Sequence, residues 1–316
     1  MTDKRRLGST DAEITPIGLG TMKFGAGGMD RDTIRAVVAA AIDGGVSWFD
    51  TAELYGRGRS ERALTTALQD LSVPPRTVLI TTKWAPVLRR ASNITRTVDS
   101  RLATLQGYPI DLYQIHFPYG SLSGRAAQVR AMANLAREHK ISAVGVSNYS
   151  ARQMEQASDV LRSQGLALAS NEVQISLLHR KIERNGVLEA ARRLGITLIA
   201  YTPLRSGILT GKFHDDPSRM RAVPAMQRRV LGLTGKALAR TLLLIDELRD
   251  IARAYGATPS QVALAWLVQY YGDAVVAIPG ASKPRQAEES AGAMNLRLTD
   301  KELARLDEAS RRSGTL

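Results

Sequence analysis

The chain has 316 residues, 44% hydrophobic and 23% charged, a balance that excludes a largely disordered polypeptide and allows a sizeable core. It has no cysteine and only four histidines, which excludes disulfides, thiolate metal sites and cysteine nucleophiles and leaves too little for a histidine-rich metal cage. Lysine and arginine outnumber acidic residues 43 to 30, a formal charge of +13; that suits an anionic partner or a plain solvated surface, and the basic residues are too dispersed to form a nucleic-acid-binding tail.

No apolar run reaches the roughly 18 residues of a membrane helix. Lys4, Arg5 and Arg6 have no apolar core behind them, so a secretory signal is not expected and a cytoplasmic protein is.

Along the chain, β-rich runs alternate with helical patterns about every 30 residues. Strands are expected at 17–21, 46–50, 77–83, 112–116, 142–147, 170–175, 197–202 and 275–279. Several are near-continuous apolar runs, as in parallel sheets covered on both faces. Between them, Ile34, Val37, Val38, Ala41 and Ile42 share a helical face that Gly44 and Gly45 end. Ser60, Ser92 and Ser150 are placed to cap the helices that follow them, and Gly195 to end another. Two more helices are expected near 238–255 and 259–270. Eight strands alternating with about eight helices predict an α/β fold, a single-domain (β/α)8 TIM barrel over residues 1–316. A doubly wound sheet is the alternative, but Gly18, Gly20, Gly25, Gly27 and Gly28 lack the spacing of a dinucleotide-binding fingerprint. Two long irregular stretches, near 117–127 and 203–235, are candidate loops over the active-site face.

In such a barrel, chemistry sits at the C-terminal ends of the strands. Those ends carry Thr21, Met22, Asp50, Lys83, His116, Ser147, Asn148, Gln174, Tyr201 and Gly280, with Tyr55 five residues beyond Asp50. Each alone has an ordinary structural use, as a cap, a surface group or a satisfied core residue. Together, a lysine beside a phenol lowers the cost of phenolate, an aspartate keeps the lysine charged, and a histidine can hydrogen-bond a substrate oxygen. That set can protonate a carbonyl as it is reduced, and the missing reductant points to a nicotinamide cofactor. No metal is required.

At these positions the sequence resembles the aldo-keto reductase superfamily along essentially its whole length. The resemblance rests on GLGTMKFG (18–25), FDTAELYG (49–56), TTK (81–83), DLYQIHFP (111–118), VGVSNY (144–149), EVQISLLHR (172–180), AYTPLRSGILTGK (200–212) and AIPGASKPRQAEES (277–290), in the family's order. It implies an NADPH-dependent carbonyl reductase in which Tyr55 donates the proton, Lys83 and Asp50 tune it, and His116 orients the carbonyl. It further implies a cofactor site built from Gly20, Thr21, Met22, Ser147, Asn148 and Gln174; from Tyr201, Thr202, Pro203, Leu204, Gly207, Leu209 and Lys212; and from Ile278, Gly280, Ser282, Lys283, Arg285, Gln286 and Glu289. Gly280 stands where many animal members have a lysine, which leaves Lys283 and Arg285 as the cations for a 2′-phosphate. Phe24, Leu54, Trp84, Phe117 and Tyr119 are the expected walls of a pocket for a small carbonyl substrate, with no nucleic-acid or membrane partner. The alternative is an NADPH-binding sensor barrel with slow turnover.

Overall fold

The three-dimensional structure is a computed structural model that describes residues 4–221, 223, 225, 226, 228 and 233–314. The chain opens on a short antiparallel hairpin, β1 (Arg5–Arg6) and β2 (Glu13–Ile14). Eight parallel strands then pair in chain order: β3 (Leu19–Gly20), β4 (Trp48–Asp50), β5 (Leu79–Trp84), β6 (Leu112–Ile115), β7 (Ala143–Ser147), β8 (Leu168–Gln174), β9 (Thr197–Tyr201) and β10 (Val275–Ile278). The two ends of this sheet meet. Ile17 bridges Ala277 and Gly20 bridges Gly280, and the Gly18 N–H donates to the Ala277 carbonyl at 2.8 Å. The fold is the expected (β/α)8 barrel, and its closure rules out the doubly wound sheet.

Helices fill the crossovers: α1 (Met22–Gly25), α2 (Arg31–Asp43), α3 (Arg59–Asp70), α4 (Ser92–Thr104), α5 (Arg125–Arg137), α6 (Ala151–Arg162), α7 (Val187–Leu194), α8 (Lys212–Asp215), α9 (Gly235–Ala254), α10 (Pro259–Tyr270), α11 (Pro284–Gly292) and α12 (Asp300–Ser313). The side chain of Asp30 caps α2, and capping boxes begin α6 at Ser150, α10 at Thr258 and α12 at Thr299. Gly195, in the left-handed region, ends α7. Two expected caps fall elsewhere. Ser60 lies inside α3, which starts after left-handed Gly58; its hydroxyl bonds Thr21 and Thr51 instead and ties the ends of β3 and β4 together. Ser92 is the first residue of α4, after Ala91, whose N–H donates to the Ser123 hydroxyl.

The two irregular stretches hold more structure than expected. α5 begins at Arg125, inside the first. The second contains a 3-10 segment (Arg205–Thr210), α8 and a further turn (Pro217–Met220); residues 222, 224, 227 and 229–232 lie outside the described residues.

Strand alternation splits the side chains into two sets. Those pointing outward, such as Phe49, Ile80, Tyr113, Ile115, Val144 and Leu198, join the large core under the helices. In the lower lumen, Trp48, Leu112, Ala143, Ala169, Ile199 and Val276 form a second apolar cluster, covered by Leu7 and Ile14 of the hairpin. The upper lumen is polar.

Candidate active site

The polar layer begins with a fully buried ion pair. Asp50 ends β4, and its Oδ2 accepts from the Lys83 ammonium at 2.5 Å. Lys83 points inward from β5 because it shares the parity of Thr81, whose hydroxyl donates to Asp50 Oδ1 at 2.5 Å. The ammonium also donates to the Thr51 carbonyl at 3.0 Å and lies 3.2 Å from Glu172 Oε2. Burial alone drives the Lys83 ammonium down, and the adjacent carboxylates more than reverse that, so it stays charged.

Tyr55 stands above this pair. Its loop is pinned where Gly25 meets the Tyr55 backbone: a Cβ on Gly25 would sit 2.3 Å from the Tyr55 carbonyl oxygen. Lys83 Nζ lies 5.2 Å from the Tyr55 ring centroid. Burial pushes the phenol above its ordinary range, and Lys83 pulls it back without overtaking. The lysine therefore limits the cost of phenolate rather than producing it, and the phenol keeps its proton at neutral pH. His116 meets Tyr55 edge-on, with ring centroids 5.9 Å apart. Burial, helped by the charge of Lys83, holds the imidazole down at about 3, so it is neutral and one ring nitrogen can donate to an oxygen. Its Nδ1 is buried without a partner.

A second chain of polar groups runs beside the first. The Tyr201 hydroxyl donates to Asn148 Oδ1 at 3.0 Å, Asn148 Nδ2 to Ser147 Oγ at 3.0 Å, and Ser147 Oγ to the Glu172 carbonyl at 3.0 Å. Gln174 is the register partner of Tyr201 across β8 and β9. The segment after β9 carries Thr202, Arg205 and Ser206 in the left-handed region, followed by Gly207. Conformations that disfavour ordinary side chains persist where the surroundings hold them, and they gather at functional sites. Lys212 is half-buried on the same segment, and burial, then Lys23 and Arg219, hold its ammonium down. At the far rim Arg285 pairs with Glu289 at 3.0 Å, and Gln286 Oε1 accepts from the Ser282 N–H at 2.8 Å. Lys283 immediately precedes α11, makes no side-chain capping bond and is exposed.

The expected pocket walls divide. His116, Phe117 and Tyr119 stack in sequence, with centroids 4.3 and 5.5 Å apart, and lead outward from Tyr55. Leu54 and Tyr119 are exposed. Trp84 is not a wall. It follows inward-pointing Lys83, so it faces outward, fully buried, with its indole N–H donated to Asn93. Phe24 is buried as well.

Two residues escaped the sequence reading. Glu172 is buried against Lys83; its shared parity with Gln174 was the available signal. Arg205 has a buried Nε without a partner, and burial lowers its guanidinium. No carboxylate pairs with it among the described residues, which only a structure reveals.

Residues 16–311 match the Aldo/keto reductase family. The chain belongs to this family. An uncharacterized oxidoreductase of Mycobacterium tuberculosis is 36% identical over 307 residues, 95% of this chain and 90% of the relative. The chloroplastic pyridoxal reductase of Arabidopsis thaliana is 30% identical over 319 residues, 95% of this chain and 84% of the relative. Among solved structures, the glycerol dehydrogenase of Gluconobacter oxydans superposes with a TM-score of 0.84 at 29% identity, covering 98% of this chain and 95% of its own. As an aldo/keto reductase the chain is an oxidoreductase acting on carbonyls. Among the described residues no helix is long and apolar enough to cross a membrane, and no cluster of side chains suits a metal ion.

Proposed function

We propose that the protein reduces an aldehyde or ketone to an alcohol with NADPH. The observation that carries this reading is the fully buried Asp50–Lys83 pair at 2.5 Å beneath Tyr55 and neutral His116. His116 donates a hydrogen bond that orients the carbonyl oxygen. Tyr55 gives that oxygen its proton, and Lys83, held by Asp50, stabilises the phenolate left behind. NADPH, when bound, supplies the hydride.

The residues fit such a cofactor. Buried or half-buried cations without counter-charges are costly, and among the described residues Arg205 and Lys212 have no carboxylate partner and lie on one segment; a pyrophosphate would satisfy both. Ser147, Asn148 and Gln174 would hold a carboxamide, and Tyr201 would stack on the nicotinamide. Gly20, Thr21, Met22, Thr202, Pro203, Leu204, Gly207 and Leu209 would shape the cleft between β3 and β9. Ile278, Gly280, Ser282 and Gln286 would carry the adenosine, with Lys283 and Arg285 on its 2′-phosphate once Arg285 turns from Glu289. Leu54, Phe117 and Tyr119 favour a small apolar or aromatic carbonyl compound. A cytoplasmic setting belongs to this reading.

The test is a pair of titrations, NADPH and NADH, followed by tryptophan quenching, on wild type and Tyr55→Phe. Tighter NADPH binding by both, with turnover of para-nitrobenzaldehyde reduced about a thousandfold or more in the variant, is the expected result. Full turnover in Tyr55→Phe would remove Tyr55 from the mechanism. Binding without turnover of any carbonyl in a broad panel would turn the reading toward an NADPH-binding sensor.

A further inference from the structure

The buried polar layer holds one more acid than its ion pair requires. Glu172 comes inward from β8, and its Oε2 lies 3.2 Å from Lys83 Nζ. The same oxygen accepts from Gln114 Nε2 on β6 at 3.0 Å, and Gln114 Oε1 in turn accepts from the Ser170 hydroxyl at 3.2 Å. Gly145 on β7 makes this possible: a Cβ there would sit 2.4 Å from Ser170 Oγ and 2.9 Å from the Gln114 side chain. The ammonium is thus flanked by two carboxyl groups that are both almost wholly buried.

An ammonium has three hydrogens. Two are committed, to Asp50 Oδ2 at 2.5 Å and to the Thr51 carbonyl at 3.0 Å. Glu172 Oε2, at 3.2 Å, and the Tyr55 phenol, which Lys83 also acts on, are left to compete for the third. We propose that Glu172 is a positioning residue for the proton donor: as a neutral carboxyl it cedes the third hydrogen of Lys83 to the Tyr55 oxygen, and as a carboxylate it withholds it. This rests on Tyr55 being the donor.

The surroundings favour the neutral form at rest. Two carboxylates against one ammonium would leave an uncompensated buried charge. Asp50 is the better-held partner, with the shorter contact to Lys83 and the Thr81 hydroxyl besides. The charged and titratable groups that face Glu172 are Asp50 from β4, Lys83 from β5 and Tyr201 from β9, with Tyr55 above. Gln114 from β6 is the neutral donor to the carboxyl, while Ser147 from β7 donates only to the Glu172 main-chain carbonyl. Burial and then Asp50 push the Glu172 carboxyl up, with Lys83 opposing. The Glu172 charge also acts on Tyr55 in the sense that makes phenolate harder to form.

Two measurements test this on the full-length protein. In the first, turnover of para-nitrobenzaldehyde at saturating NADPH is followed across the neutral and alkaline range. Wild type is expected to lose turnover as Glu172 ionises. In Glu172→Gln the alkaline-to-neutral ratio should rise about tenfold, equivalent to removing about one unit of opposing shift. Glu172→Asp, which keeps a titrating carboxyl, should retain the alkaline loss. In the second, Tyr55 ionisation is read from ultraviolet difference spectra against Tyr55→Phe, without substrate. Glu172→Gln should ionise Tyr55 about one unit lower in pH.

Profiles that superimpose and a Tyr55 ionisation that does not move would overturn the proposal. So would an equal loss of turnover at every pH in both variants, which is the mark of a purely structural residue. Turnover that survives Tyr55→Phe would instead strike at the donor assignment. The ionisation measurement would still judge whether Glu172 acts on Tyr55.

Discussion

The lower and upper halves of the lumen are built by the same strands with opposite chemistry. In β4, Trp48 points into the lower half, and Asp50, one pleat period on, ends in the upper. β6 repeats the step from Leu112 to Gln114, and β9 from Ile199 to Tyr201. The lower half is apolar and covered by the hairpin, with the Trp48 indole N–H donated to the Thr15 carbonyl at 2.9 Å. The upper half replaces that packing with buried charges that must satisfy one another. The lower half of the lumen therefore contributes apolar packing, and the upper half gathers the ionisable groups.

The largest expected effect that could break this division comes from Lys83→Met. It removes the cation between Asp50 and Glu172, so turnover should fall about a thousandfold. Because the buried Asp50 carboxylate loses its counter-charge, stability should also fall, by about 3–5 kcal/mol in urea denaturation. A stable, active Lys83→Met would refute the role given to the upper layer.

Trp48→Ala probes the other half. Emptying an indole-sized site should cost about 3–5 kcal/mol, again read by urea denaturation. The folded fraction should keep its kcat/KM within about twofold, since no contact to Asp50, Lys83 or Tyr55 is lost. A large loss of kcat/KM in folded protein would show that the halves are coupled.

Much of this arrangement was legible in the sequence. Parallel strands covered on both faces read as apolar runs, and all eight fall within two residues of the expected limits. The polar residues closing those runs were visible because they break the pattern. The hairpin was not legible, since two-residue strands carry no period. Glu172 was obscured because it sits inside a strand, where composition does not reveal the face. Trp84 was expected as a pocket wall, but it follows inward-pointing Lys83 on β5, and strand parity turns it outward. That Arg205 Nε is buried without a partner among the described residues shows only in three dimensions.

A smaller effect sharpens the comparison at the rim, outside the lumen. Replacing Lys283 and Arg285 together with alanine should weaken NADPH binding about tenfold and NADH binding by less than about twofold, because only NADPH carries the extra phosphate. Tryptophan quenching reads both affinities. Equal losses would remove these cations from the cofactor site. Arg285 would then do no more at the rim than pair with Glu289, an exposed contact that contributes little.

A last effect concerns His116, whose burial opposes its charge with no carboxylate beside it among the described residues. Its imidazole is held down at about 3 against an ordinary 6.5. Between those values the unfolded chain binds a proton that the folded chain does not, so stability falls as pH drops through 6.5 and goes on falling towards 3. At about pH 5 the loss should be about 2 kcal/mol relative to neutrality. His116→Gln keeps a hydrogen-bond donor and removes the titration, so its stability should decline less steeply over the same window. Turnover should behave differently: because the ring is already neutral, wild type should show no acidic limb near 6.5 from His116. Urea midpoints and kcat measured on the same pH series separate the two. A limb near 6.5 in kcat, abolished in His116→Gln, would mean that a charged imidazole takes part and that bound substrate or cofactor reverses the effect of burial.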